Sequence, residues 1–134
     1  MKAFCTDCAP LSTRLAQLSE ELPGLECDGF SRVVSYILTT YGIAHQVYGG
    51  SLKVRGADGG MSAIALHFWV VAGNELIDFR ARRWMIFQDP NIVPHGFFLP
   101  ADYPSAHYEG RPAIGDWANA EIHQILLLIG TSHA

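Results

Sequence analysis

The chain has 134 residues, 49% hydrophobic and 16% charged, so one domain with a well-supplied interior is expected and disorder is not. Its net charge of −4, with basic residues clustered only at Arg80, Arg82 and Arg83, argues against a protein that follows phosphate backbones, so nucleic acid is not an expected partner. No apolar run approaches the roughly 20 residues of a bilayer span, and the N-terminus lacks the apolar core of a secretory signal. No membrane association is expected, and a cytoplasmic location is, with signal-independent export left open.

Three cysteines without a signal argue against a disulfide framework. Cys5 and Cys8 form a lone CxxC, and with no second CxxC and no HxxxH the sequence calls for no metal and no other cofactor. Residues 1–9 are expected to be loosely packed ahead of the domain. A first helix is predicted over 10–22, where Leu11, Leu15, Leu18 and Leu22 recur at helical spacing before Pro23-Gly24. A second is predicted over 27–41, with Phe30, Val33, Val34, Ile37, Leu38 and Tyr41 on its apolar face and Gly42 as its stop. Three strands should follow. The first, 45–54, contains Gly49-Gly50, the mark of a bulge or a close backbone approach; the others, 62–71 and 75–80, are joined by a tight turn at Ala72-Gly73-Asn74. Residues 84–112 hold five of the seven prolines and read as an irregular segment. A last helix is predicted over 116–129, capped by Asp116. The order gives an α+β domain with the second helix packed on a small antiparallel sheet.

Cys27 opens the second helix, His67 lies in a strand and Asp78 in the next one. A thiol at a helix N-terminus, an imidazole and a carboxylate are the parts of a nucleophile–base–orienter triad. The helix dipole and an imidazolium would favour the thiolate, while the flanking Glu26 and Asp28 oppose it unless they turn to solvent. With Phe68 to Ala72 paired against Asn74 to Asp78, His67 and Asp78 are expected at nearly facing positions. A Cys…His…Asp order also arises by chance, and a cysteine on an apolar helix is often a small hydrophobe.

The stretch from Cys27 to Asp78 resembles the transglutaminase-like branch of the papain-like cysteine enzymes, which includes bacterial transglutaminase-like proteases, lasso-peptide leader peptidases and effector glutamine deamidases. The resemblance rests on the helix-opening Cys27, on Tyr41-Gly42-Ile43-Ala44-His45-Gln46-Val47-Tyr48-Gly49-Gly50, on the His67-Phe68-Trp69-Val70 strand and on Asp78 in the strand after it. It implies a papain-like fold and acyl transfer at Cys27, His67 and Asp78. Papain relatives place a Gln six residues before the Cys, where this chain has Glu21, so the resemblance leaves the oxyanion donor to the Cys27 N–H with Gln46 or Trp69.

The expected activity is therefore a cysteine peptidase or side-chain amidase, glutamine deamidation included, acting on a peptide or protein. The small size makes a partner protein or a carrier-bound substrate plausible. The rival readings are a non-catalytic peptide-binding or accessory protein of the same fold, and a zinc-binding hydrolase. Arg80, Arg82 and Arg83 are expected at a solvated strand end, or else as a patch that steers acidic substrates.

Overall fold

The structure is a computed structural model that describes residues 5–118, with side chains described from Leu11 onward. It is an α+β arrangement: α1 (Cys5–Glu21), α2 (Cys27–Thr40), β1 (Gln46–Arg55), β2 (Met61–Ala72), β3 (Glu75–Asp78), the single turn α3 (Ala81–Trp84), β4 (Gly96–Phe98) and β5 (Ala106–Pro112). The strands form one five-stranded antiparallel sheet in the order β4-β3-β2-β1-β5.

Helix α2 begins where the periodicity begins and ends where Gly42 allows it to. Gly42, at φ +71°, donates to Thr39 O, and Ile43 donates to Leu38 O, the paired bonds of a Schellman stop. Its buried stripe, Phe30, Val33, Val34, Ile37 and Leu38, meets Leu11, Leu15 and Leu18 of α1 and Val47, Val70, Ala72 and Ile77 of the sheet. Burying each such side chain contributes about 1.5–3 kcal/mol, which makes this contact the main support of the α2 N-terminus. The other face of the sheet carries a second core of Leu52 and Val54, covered by Ala81, Met85 and Val93.

Three expectations change. The proline-rich stretch is not uniformly irregular: it supplies both edge strands, β4 and β5, and α3 begins just before it. The β2–β3 hairpin also closes one residue later than expected. Gly73 (φ +61°) and Asn74 form its turn, and Ala72 pairs with Glu75. The first helix starts earlier than expected, at Cys5, and the helix expected over 116–129 falls outside the described residues except at Asp116–Ala118, which are not helical. The Gly49-Gly50 irregularity is real: the β1–β2 register shifts between Gly50 and Leu52, and a Cβ on Gly50 would come within 2.0 Å of Glu109 O on β5.

No helix among the described residues is long and apolar enough to cross a membrane.

Candidate active site

The later hairpin closure decides the site. Side chains alternate along a strand, so a one-residue change of register moves a side chain to the opposite face. Val70 pairs with Ile77, and the register continues to Trp69 opposite Asp78. Asp78 therefore shares a face with Trp69 and, diagonally, with His67. Diagonal neighbours about 7–8 Å apart are within reach of an imidazole and a carboxylate together. His67 Nε2 and Asp78 Oδ2 lie 2.6 Å apart, and both side chains are buried.

Asp78 is fully occupied as an acceptor. Oδ2 takes the His67 bond and a 2.7 Å bond from the Tyr108 hydroxyl; Oδ1 takes the backbone N–H groups of Arg80 at 2.9 Å and Ala81 at 3.1 Å. Burial opposes the charged carboxylate, but the His67 charge and these donors outweigh it and hold its pKa below 3.8. Burial likewise opposes a charged His67, yet Asp78, with a smaller contribution from Cys27, raises its pKa from 6.5 to about 10. The resting pair is an imidazolium against a carboxylate.

Cys27 is the first residue of α2, half-buried, and near enough to His67 to affect its ionisation. Asp78 takes Nε2, so Nδ1 is the nitrogen left for the thiol. Nδ1 is buried without a hydrogen-bond partner, so Cys27, although close enough to act on the ionisation of His67, makes no formed bond to it. Such contacts are often loose before substrate is bound. Cys27 and Asp78 line one crevice of about 10 Å³ with Phe30, Ser31, Val34, Phe68, Ile77, Phe79 and Arg80. That is room for about one water molecule. Glu26 and Asp28 are exposed, and Glu26 makes no side-chain cap, so both carboxylates face water.

The two residues expected to serve the oxyanion lie elsewhere. Gln46, at the start of β1, lines a separate cavity with Ser35 and His45. Trp69 packs beside the His67 ring at 6.0 Å and on Tyr108 at 4.9 Å, and neither it nor Gln46 lines the Cys27 crevice.

Two further residues support the site, Tyr108, to which the sequence does not point, and Arg80, which it assigns to another role. Tyr108 comes from β5, a strand that the proline-rich composition concealed. Arg80 is neither a solvated strand end nor a steering charge but is buried at 1% exposure. Its guanidinium donates to Ser19 Oγ at 2.6 Å, Leu25 O at 2.7 Å and Leu22 O at 2.8 Å, and it lies 4.3 Å over the Phe30 ring. It thus ties the end of α1 and the loop before Cys27 to the strand end that carries Asp78. Arg82 and Arg83 are bound too, to the carbonyls of Val93 and Pro23. No sequence signal distinguishes a buried arginine from an exposed one.

Among the described residues, no three His, Cys, Asp or Glu side chains converge as metal ligands. Comparison with family models, with curated proteins and with solved structures finds no match to this chain.

Proposed function

We propose that the protein is a cysteine-dependent hydrolase of a peptide or side-chain amide, with a papain-like, transglutaminase-like arrangement of its nucleophile helix and sheet. One observation carries this reading: a buried His67–Asp78 pair at 2.6 Å whose other ring nitrogen has no partner, with the thiol at the N-terminus of α2 close enough to act on the ionisation of His67. A purely structural histidine would be expected to satisfy both nitrogens.

Cys27 Sγ attacks the amide carbonyl carbon. The first N–H groups of α2 have no acceptor within the helix and meet the charge that develops on the oxygen. The tetrahedral intermediate collapses as His67 gives its Nδ1 proton to the departing amine, which leaves a thioester on Cys27. Water then attacks, its proton passing to His67, and releases the acid and the thiol; an amine in place of water would give transfer. Asp78 keeps the imidazole oriented and stabilises its charged form throughout.

The test is alkylation of Cys27 by iodoacetamide between pH 5 and 9, read by intact mass. At pH 6.5 the wild-type thiol should react at least about tenfold faster than the same thiol in His67→Ala. Equal rates in the two proteins would sink the proposal. The narrow crevice favours one alternative, a non-catalytic peptide-binding protein of the same architecture. That protein would show a Cys27 indifferent to His67, and Cys27→Ser would leave its binding unchanged.

A further inference from the structure

We propose a second acyl-accepting site in which Ser35 is the nucleophile and His45 its base, serving esters or similarly activated acyl groups in a cavity separate from the Cys27 crevice. Ser35 Oγ and His45 Nε2 are 2.7 Å apart, and His45 Nδ1 lies 2.9 Å from Ile43 O. A carbonyl can only accept, so Nδ1 carries the proton in the neutral ring. Nε2 is then the acceptor of the Ser35 hydroxyl proton. Nucleophile, base and orienter are connected in the required order at hydrogen-bond distance.

The fold holds this geometry in place. Ser35 lies two turns beyond Cys27 on α2, about 12 Å along the axis, so one substrate carbonyl cannot reach both nucleophiles. Ile43 is fixed by its bond to Leu38 O in the helix stop, and His45 directly precedes β1. The carbonyl that orients the base is therefore part of the turn that ends the nucleophile's helix. Ser35 is buried against the core, yet it forms part of the wall of a cavity of about 310 Å³ with Thr39, His45, Gln46 and Trp117. A volume in this range suits a small acyl group.

The same cavity holds oxyanion donors. Trp117 is part of its wall, and the Trp117 Nε1–H, which can only donate, is buried without a partner, so a turn of the indole would bring it to a bound oxygen. The Gln46 amide has only a weak 3.4 Å bond to Val47 O and can turn toward a bound oxygen. In the reaction Ser35 Oγ bonds to the acyl carbon as its proton passes to His45 Nε2. The intermediate then expels the alcohol, which takes that proton. Water attacks the Ser35 ester with His45 again as base and releases the acid and the serine. A serine–imidazole pair without a carboxylate suits esters better than amides, because the leaving alkoxide needs less assistance than an amine.

The experiment treats the full chain with a fluorophosphonate, followed by intact mass and peptide mapping, in wild type, Cys27→Ser, His45→Gln and Ser35→Ala. One adduct on Ser35 is expected in wild type and equally in Cys27→Ser, with labelling slowed at least tenfold in His45→Gln. Hydrolysis of p-nitrophenyl acetate by Cys27→Ser protein should fall to the buffer rate when Ser35→Ala is added. Absence of a Ser35 adduct on folded wild type overturns the proposal whatever the variants do. Undiminished labelling in His45→Gln overturns it as well, since Ser35 would then be accessible but not activated. Labelling in the Cys27→Ser background separates this outcome from the fate of the Cys27 reading.

Discussion

The two ends of α2 present two imidazoles backed in different ways. At the N-terminal end His67 rests on a buried carboxylate that takes four hydrogen bonds in all; two turns on, His45 rests on a backbone carbonyl. A carboxylate stabilises the charged ring by a full Coulomb interaction in a poorly solvated place, whereas a carbonyl offers only a dipole. His67 is accordingly held protonated far above its ordinary range, a state suited to an ion pair with a thiolate. His45 presents Nε2 to the Ser35 hydroxyl from a ring oriented by Ile43 O. The nature of the backing group, more than the presence of a histidine, separates the two proposed sites.

The largest expected effect removes that backing. Asp78→Asn should lower amide hydrolysis by about 10²–10⁴-fold, because the imidazolium loses its counter-charge and its fixed tautomer. Asp78→Ala should also cost about 3–5 kcal/mol of folding stability, as expected when one member of a buried pair is deleted, and urea unfolding would register it. Neither change should slow fluorophosphonate labelling of Ser35 in protein that remains folded; if it does, the two ends of α2 are not independent. Next in size is Arg80→Ala. It leaves the carbonyls of Leu22 and Leu25 and the Ser19 hydroxyl without their donor, and about 3 kcal/mol of destabilisation is expected by urea titration. Its mark on function should be slower Cys27 alkylation, since the loop before α2 loses its anchor.

The sequence shows this contrast only in part. The periodicity over Leu11–Leu18 and Phe30–Leu38, the stop at Gly42 and the approximate position of the hairpin are local properties, and local patterns report them. The pairing register is not local. Whether Gly73 or Gly73-Asn74 makes the turn changes no composition, yet it decides whether Asp78 shares a face with Phe68 or with His67. Edge strands are equally obscure. Ala106–Pro112 alternates weakly and lies among prolines, so neither β5 nor the hydroxyl that Tyr108 brings to Asp78 could be read. Nothing local to Ser35 marks it, because His45 and Ile43 O reach it only through the turn that ends α2.

A third comparison uses pH. Asp78 has a lowered folded pKa, so its contribution is complete above its ordinary 3.8 and lost as pH falls through the lower folded value. His67 has a raised one, so its contribution is complete below 6.5 and lost as pH rises toward about 10. The stability difference between wild type and Asp78→Asn should therefore be greatest between pH 4 and 6.5 and shrink on both sides. Urea midpoints of the two proteins from pH 3 to 10 would show it. A difference that does not change with pH would mean that the pair is not ionic.

The smallest expected effect belongs to Tyr108→Phe. The hydroxyl donates to the same carboxylate oxygen that holds His67, so its removal leaves Asp78 with three donors and the ring in place. A hydrogen bond to a charged group contributes about 1.5–3 kcal/mol, and the lower end is expected here because Oδ2 keeps its imidazolium. Hydrolysis should fall by less than about tenfold, while the acid limb of unfolding moves to higher pH because the anion has lost a donor. Unfolding followed from pH 2 to 5 would detect that move. If the acid limb stays where it is, Tyr108 only packs against Trp69, and Asp78 owes its ionisation to His67 and the two backbone N–H groups alone.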